Sequence, residues 1–190
     1  MSICRSVVAV AMLAVGSPSA QAAPAPALPS AALPSPPASD AELLGVLAAI
    51  HAINREAAAP ARERGTDRRM RALAETITRH AAAGQRRLAA LSVLLEQRAV
   101  GGDTTDGLRF AARRAFPAPT SRARGREFDD AWLEGQIETL TLVIDAINNK
   151  SRPYARAPAL QQELVVVVEQ AAADLFAAEA LRAALARPTS

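Results

Sequence analysis

The chain has 190 residues, a formal charge of +3 and half its residues hydrophobic, but only 3% aromatic. That length suits one ordinary domain, and apolar mass supplied by alanine and leucine favours helices over sheets. Arginine provides every basic residue except Lys150, yet the scarcity of aromatics for stacking on bases argues against a nucleic-acid partner.

Residues 1–22 read as a secretory signal peptide. Arg5 gives the positive start, Val7–Val15 ("VVAVAMLAV") a short apolar run, and Ala20–Ala22 ("AQA") small residues before a cut at Ala23. The run is too short to span a membrane, and no later stretch is apolar enough to do so. Cys4, the sole cysteine, leaves with the leader. Disulfides and thiolate metal sites are therefore not expected after processing. The expected location is periplasmic or secreted. Residues 23–38 ("APAPALPSAALPSPPA") form a Pro/Ala-rich linker with no core pattern, expected to be disordered. The folded domain is expected over 39–186.

Its first helix is expected from about 41 to 59. Ser39 or Asp40 caps it, Leu43, Leu47, Ile50 and Asn54 share one face, and Pro60 kinks or ends it. The second runs from about 68 to 98. Met70, Ile77, Gly84 and Leu91 repeat every seven residues, joined by Ala74, Ala81, Leu88 and Leu95. Residues 107–126 form a basic connector. Within it "LRFAARRAF" makes a short amphipathic helix, expected to cap the bundle end, with Arg109, Arg113 and Arg114 turned outward. Those three arginines offer a weak contact to an anionic surface. The third long helix is expected over 126–149, with Phe128, Trp132, Leu133, Ile137, Leu140, Ile144 and Ile147 as its apolar stripe. The fourth is expected over 158–186, with Leu160, Leu164, Val168, Ala171, Leu175 and Leu185 inward. The run "LVVVV" (164–168) is read as helix because Gln- and Ala-rich segments flank it. Four amphipathic helices predict an all-α, antiparallel four-helix bundle.

Charge is uneven along the chain. Between 55 and 126 there are 16 basic and 7 acidic residues, and from 127 onward 5 and 10. A basic half facing an acidic half would be complementary within one bundle. The ridge Glu127, Asp130, Glu134 and Glu138 is expected to be solvated or to meet Arg79 and Arg86.

A dinuclear metal core in such a bundle needs one Glu from each of two helices and Glu-x-x-His from the other two. No Glu-x-x-His occurs here. The two histidines, His51 and His80, have no carboxylate at helical-neighbour spacing. They remain weak metal candidates, together with Glu163. No phosphate loop, nucleophile elbow or triad spacing occurs. No cofactor and no catalysis are expected.

Four stretches carry a resemblance: "MRALAETITRH" (70–80), "AGQRRLAAL" (83–91), "GREFDDAW" (125–132) and "APALQQEL" (157–164). Together they resemble a secreted bacterial family, domain-of-unknown-function family 4142, over roughly 40–185. The resemblance implies a ferritin-like four-helix bundle and export. It also implies that the family's polar positions have changed. Its Asp-His pair falls on His80 and Ala81, its later histidines on Leu140 and Glu163, and its first-helix glutamate near Asn54. No functional residue carries over. The expected role is a non-catalytic structural or interaction module of the cell envelope. The alternative is a divergent ferritin-like metal-binding protein using His80, Glu163 and His51.

Overall fold

The computed structural model describes residues 36, 37, 39–116 and 122–186. The expected leader (1–22) and all of the expected linker except Pro36 and Pro37 lie outside the described residues. The described residues are helical, with no strand among them. Four long helices are α1 (Asp40–Arg64), α2 (Arg68–Leu94), α4 (Gly125–Asp145) and α5 (Pro158–Ala186), and a shorter α3 spans Asp103–Ala115.

Ser39 caps α1, its Oγ accepting the Glu42 N–H at 3.2 Å. The helix runs past Pro60 to Arg64, longer than expected. A proline costs one backbone hydrogen bond. Here Ala57, Ala58 and Ala61 pack Pro60's turn against the core, and Ala58 and Ala61 are fully buried beside Met70 and Trp132. Tertiary burial outweighs the local penalty. Helix α2 ends earlier than expected, at Leu94. Glu96 adopts φ +51°, a left-handed conformation that stops a helix. The chain then crosses α1, where the Val100 N–H donates to the Ala41 carbonyl at 3.0 Å. Helix α4 likewise stops at Asp145 and passes into a π turn (Ala146–Ser151) and a 3₁₀ turn (Arg152–Tyr154). The "LVVVV" run is helical, as expected.

Side-chain contacts fix the directions of the helices. The short Gly65–Asp67 turn makes α1 and α2 antiparallel. His80 meets Asp174 while Arg87 meets Glu163, so α2 and α5 are antiparallel. Glu134 meets Arg182, and Arg126 donates to the Leu185 carbonyl, so α4 and α5 are antiparallel too. Asp40, opening α1, accepts the N–H groups of Arg156 and Ala157 just before α5. Helices α1 and α5 thus run one way, and α2 and α4 the other. Helix α2 thus ends near the start of α1, and α4 begins beside the end of α1.

Helix α3 is not an end cap. It lies lengthwise against α1 and α4, burying Thr104, Thr105, Leu108, Ala112 and Ala115. Gly135 permits this approach, because a Cβ there would sit 2.5 Å from the Ala115 carbonyl oxygen.

The turn between α1 and α2 is held by α4. Asp129, 2% exposed, accepts the N–H of Thr66 at 3.0 Å, the Thr66 hydroxyl at 2.5 Å and the N–H of Asp67 at 2.9 Å. Arg64 stacks 4.4 Å above the Phe128 ring beside it.

The acidic ridge of α4 is exposed, and its partners differ from those expected. Asp130 lies 3.8 Å from Arg126 and Glu134 lies 3.7 Å from Arg182. Helix α4 packs chiefly on α5 and α3, whereas Arg79 and Arg86 ride on α2, which packs on α1 and α5.

Candidate functional site

The core is two apolar clusters rather than one. The first joins Leu43–Ile53 of α1 to Leu88 and Leu91 of α2, Leu140–Ile147 of α4 with its π turn, and Leu160–Ala171 of α5. The second joins Ala58 and Ala61 to Met70–Ile77, Phe128–Leu133, Ala178 and Leu181. Between them every long helix contributes something small or polar: Asn54 from α1, Ala81 and Gly84 from α2, Gln136 and Thr139 from α4, Asp174 from α5. A polar layer therefore crosses the bundle at mid-height, flanked by His51 and His80.

Helical geometry sets the α1–α4 part of this layer. Trp132 donates its indole N–H to the Ala57 carbonyl at 2.7 Å, so that face of α4 looks at α1. Gln136 and Thr139 follow Trp132 by four and seven residues and share its face. Asn54 precedes Ala57 by one turn. Because the helices are antiparallel, Asn54 and Gln136 come to the same level. Gln136 and Thr139 are buried, while Ile137 and Ile144, expected inward, are half-buried. The large apolar side chains drew the expected stripe. Trp132, which fills the most space, sets the actual one, and the step from 132 to 136 and 139 was the signal available in the sequence. Helix α5 shows the same displacement: Glu163 and Asp174 are buried, and Val168 and Leu175 only partly.

The charged groups near the layer are already committed. Glu163 accepts from Arg87 Nε through both oxygens, at 3.0 and 2.8 Å. Arg87 also reaches Gln170 at 3.5 Å. Nδ1 of His80 lies 2.9 Å from Oδ2 of Asp174. The His80 side chain is about one-third exposed, and the carboxyl beside it nearly buried. Burial pushes the Asp174 carboxyl above its usual range, and the contact with His80 pulls it back. The partner missed in the sequence is therefore on α5, 94 residues away.

His51 is buried against α2. A Cβ on Gly84 would lie 2.0 Å from its ring, so only glycine leaves room for the imidazole. Its Nε2 has no hydrogen-bond partner among the described residues. Burial, and then the positive Arg87, hold its pKa down at about 4. An unfolded histidine titrates near 6.5, so between those values the unfolded chain binds the extra proton. Stability is fully present above pH ~6.5 and is lost as pH falls towards 4, by roughly 3 kcal/mol. Asp174, pushed the other way, opposes this loss as pH falls. The expected result is that His51→Gln flattens the fall in urea midpoint between pH 6.5 and 4. Parallel profiles for the two proteins would remove His51 as the cause.

The three candidate ligands are not brought to one point. Glu163 is held by Arg87, His80 by Asp174, and His51 faces Gly84. No group of three or more His, Cys, Asp or Glu side chains that could hold a metal occurs among the described residues. A dinuclear centre needs several free inward carboxylates; this layer presents carboxamides and a hydroxyl instead, and does not fit one.

Arg109, Arg113 and Arg114 are exposed on α3, and Phe110 beside them is 58% exposed. No helix among the described residues is long and apolar enough to cross a membrane.

The model of a domain of unknown function, DUF4142, matches residues 23–181. A crystal structure of a DUF305 fragment from Deinococcus radiodurans is similar in fold, with a TM-score of 0.64 and 20% identity. The match covers 78% of this chain and 99% of that one. No curated protein matches the chain.

Proposed function

The chain belongs to the DUF4142 family, and from that premise we propose that it is an exported protein of the cell envelope whose helical domain is a non-catalytic structural or interaction module. The observation that carries the non-catalytic reading is the state of the polar layer. Its charged groups are taken up in the Arg87–Glu163 and His80–Asp174 pairs, and the remaining imidazole, His51, is packed against Gly84 and held neutral near pH 7 by burial, which supports a reading without a reacting centre. Helices α2 and α4 run the same way, as helices joined by one long crossover in a ferritin-like bundle do, and this supports the reading as a ferritin-like fold that has given up its metal. Export rests on residues 1–22, and the test is mass spectrometry of the protein from fractionated cells. A periplasmic or secreted form beginning at Ala23 is expected; an intact Met1 form confined to the cytoplasm would refute export. Elemental analysis of that same form is expected to show no stoichiometric metal, and a bound metal would favour the divergent metal-binding alternative.

The interaction surface is the outer face of α3. Three arginines without acidic partners among the described residues surround an exposed phenylalanine, which suits weak contact with an anionic surface. Binding to vesicles rich in anionic lipid is expected to fall with salt. It should vanish in Arg109→Ala/Arg113→Ala/Arg114→Ala; undiminished binding by that variant would reject this face.

A further inference from the structure

We infer that the polar layer at mid-bundle is a binding site for internal water, which takes the position a metal centre would hold in a bundle of this connectivity. This rests on the non-metal reading above. Five buried polar atoms carry it: Nε2 of His51, Oδ1 of Asn54, Nε2 and Oε1 of Gln136, and Oγ1 of Thr139. None has a hydrogen-bond partner among the described residues. All four residues are at least nine-tenths buried, and Gln136 is completely so. Leaving such a set dry would cost an amount that rivals the whole stability of a domain. A native fold does not retain that penalty, so something with both donors and acceptors meets these atoms.

The chemistry of the layer selects the guest. Amide, hydroxyl and imidazole groups are all uncharged here, since burial keeps His51 neutral near pH 7. A cation finds no free carboxylate, because Glu163 and Asp174 are already paired. An anion finds no free cation, because Arg87 is committed to Glu163 and Gln170. Water supplies two donors and two acceptors in the smallest volume. At about three hydrogen bonds per buried water, five atoms call for about two molecules. The register brings Asn54 and Gln136 level, one turn from the Trp132–Ala57 contact, which puts the water they share between α1 and α4, while Nε2 of His51 opens on the α2 side beside Gly84.

The test is oxygen-17 water relaxation dispersion on the full chain. Wild type is expected to show long-lived internal water, and Gln136→Leu/Thr139→Val to lose amplitude equal to about two molecules. The same amplitude in both proteins, or none in wild type, would overturn the inference. If circular dichroism shows that the double variant has not folded, Gln136→Met alone is used, with a smaller loss in the same direction expected. Elemental analysis separates the two claims. Stoichiometric metal would defeat the non-metal reading, whereas a metal-free protein whose dispersion ignores these substitutions would defeat only the water site.

Discussion

Asp129→Ala is expected to destabilise the domain by about 3 kcal/mol, the largest effect of any single polar truncation here. The carboxylate is buried on α4 and accepts three hydrogen bonds from Thr66 and Asp67, residues of the turn that reverses α1 into α2. Hydrogen bonds to a charged acceptor contribute about 1.5–3 kcal/mol each, and they do not add fully. Thr66 is itself exposed, so its freed donors regain water and the loss stays below the simple sum. Asp129→Asn keeps one acceptor and should lose less. Asp130→Ala is the control, since its partner Arg126 is 3.8 Å away and both side chains are exposed; such pairs contribute about 0–1 kcal/mol. Urea unfolding followed by Trp132, the only tryptophan, measures all three. Equal midpoints for Asp129→Ala and Asp130→Ala would show that Asp129 does not hold the turn.

Gly84→Ala carries the second large effect, and its sign depends on another residue. In an open helix interior, alanine is better than glycine by about 1 kcal/mol. Here the new methyl would meet the His51 ring at 2.0 Å, inside van der Waals contact. The ring is buried between helices and must shift with its neighbours, so a cost of about 1–3 kcal/mol is expected from overpacking. In a His51→Ala background the obstruction is gone, and Gly84→Ala should become stabilising by up to about 1 kcal/mol. A double-mutant cycle reads the coupling directly. No coupling between the two sites would mean that the ring does not fill the space that Gly84 leaves.

These two positions mark the limits of what could be read from the chain. Seven of the eight expected seam residues of α2 are buried, and Leu95 is half-buried. A seven-residue repeat of apolar side chains is visible over a few turns and belongs to one helix alone. The start of α1 at a serine cap and the span of α5 are legible for the same local reason. Gly84 was visible in that seam, but not why it is glycine, because the ring it accommodates comes from α1.

The helical class, the order of the elements and the lack of a Glu-x-x-His were determined by the sequence itself. They follow from propensity and spacing, which act within a few turns. Tertiary structure decided the rest. It carried α1 through Pro60, because buried alanines on that turn outweigh one lost hydrogen bond. It laid α3 along the bundle instead of across its end. It turned α4 and α5 so that Gln136, Thr139, Glu163 and Asp174 face inward where Ile137 and Val168 were expected. It gave His80 a partner 94 residues away. The reason is common to all four. A helix's own periodicity defines its candidate faces, but which face is buried, and what each buried polar group meets, depends on the shapes of helices far away in the chain.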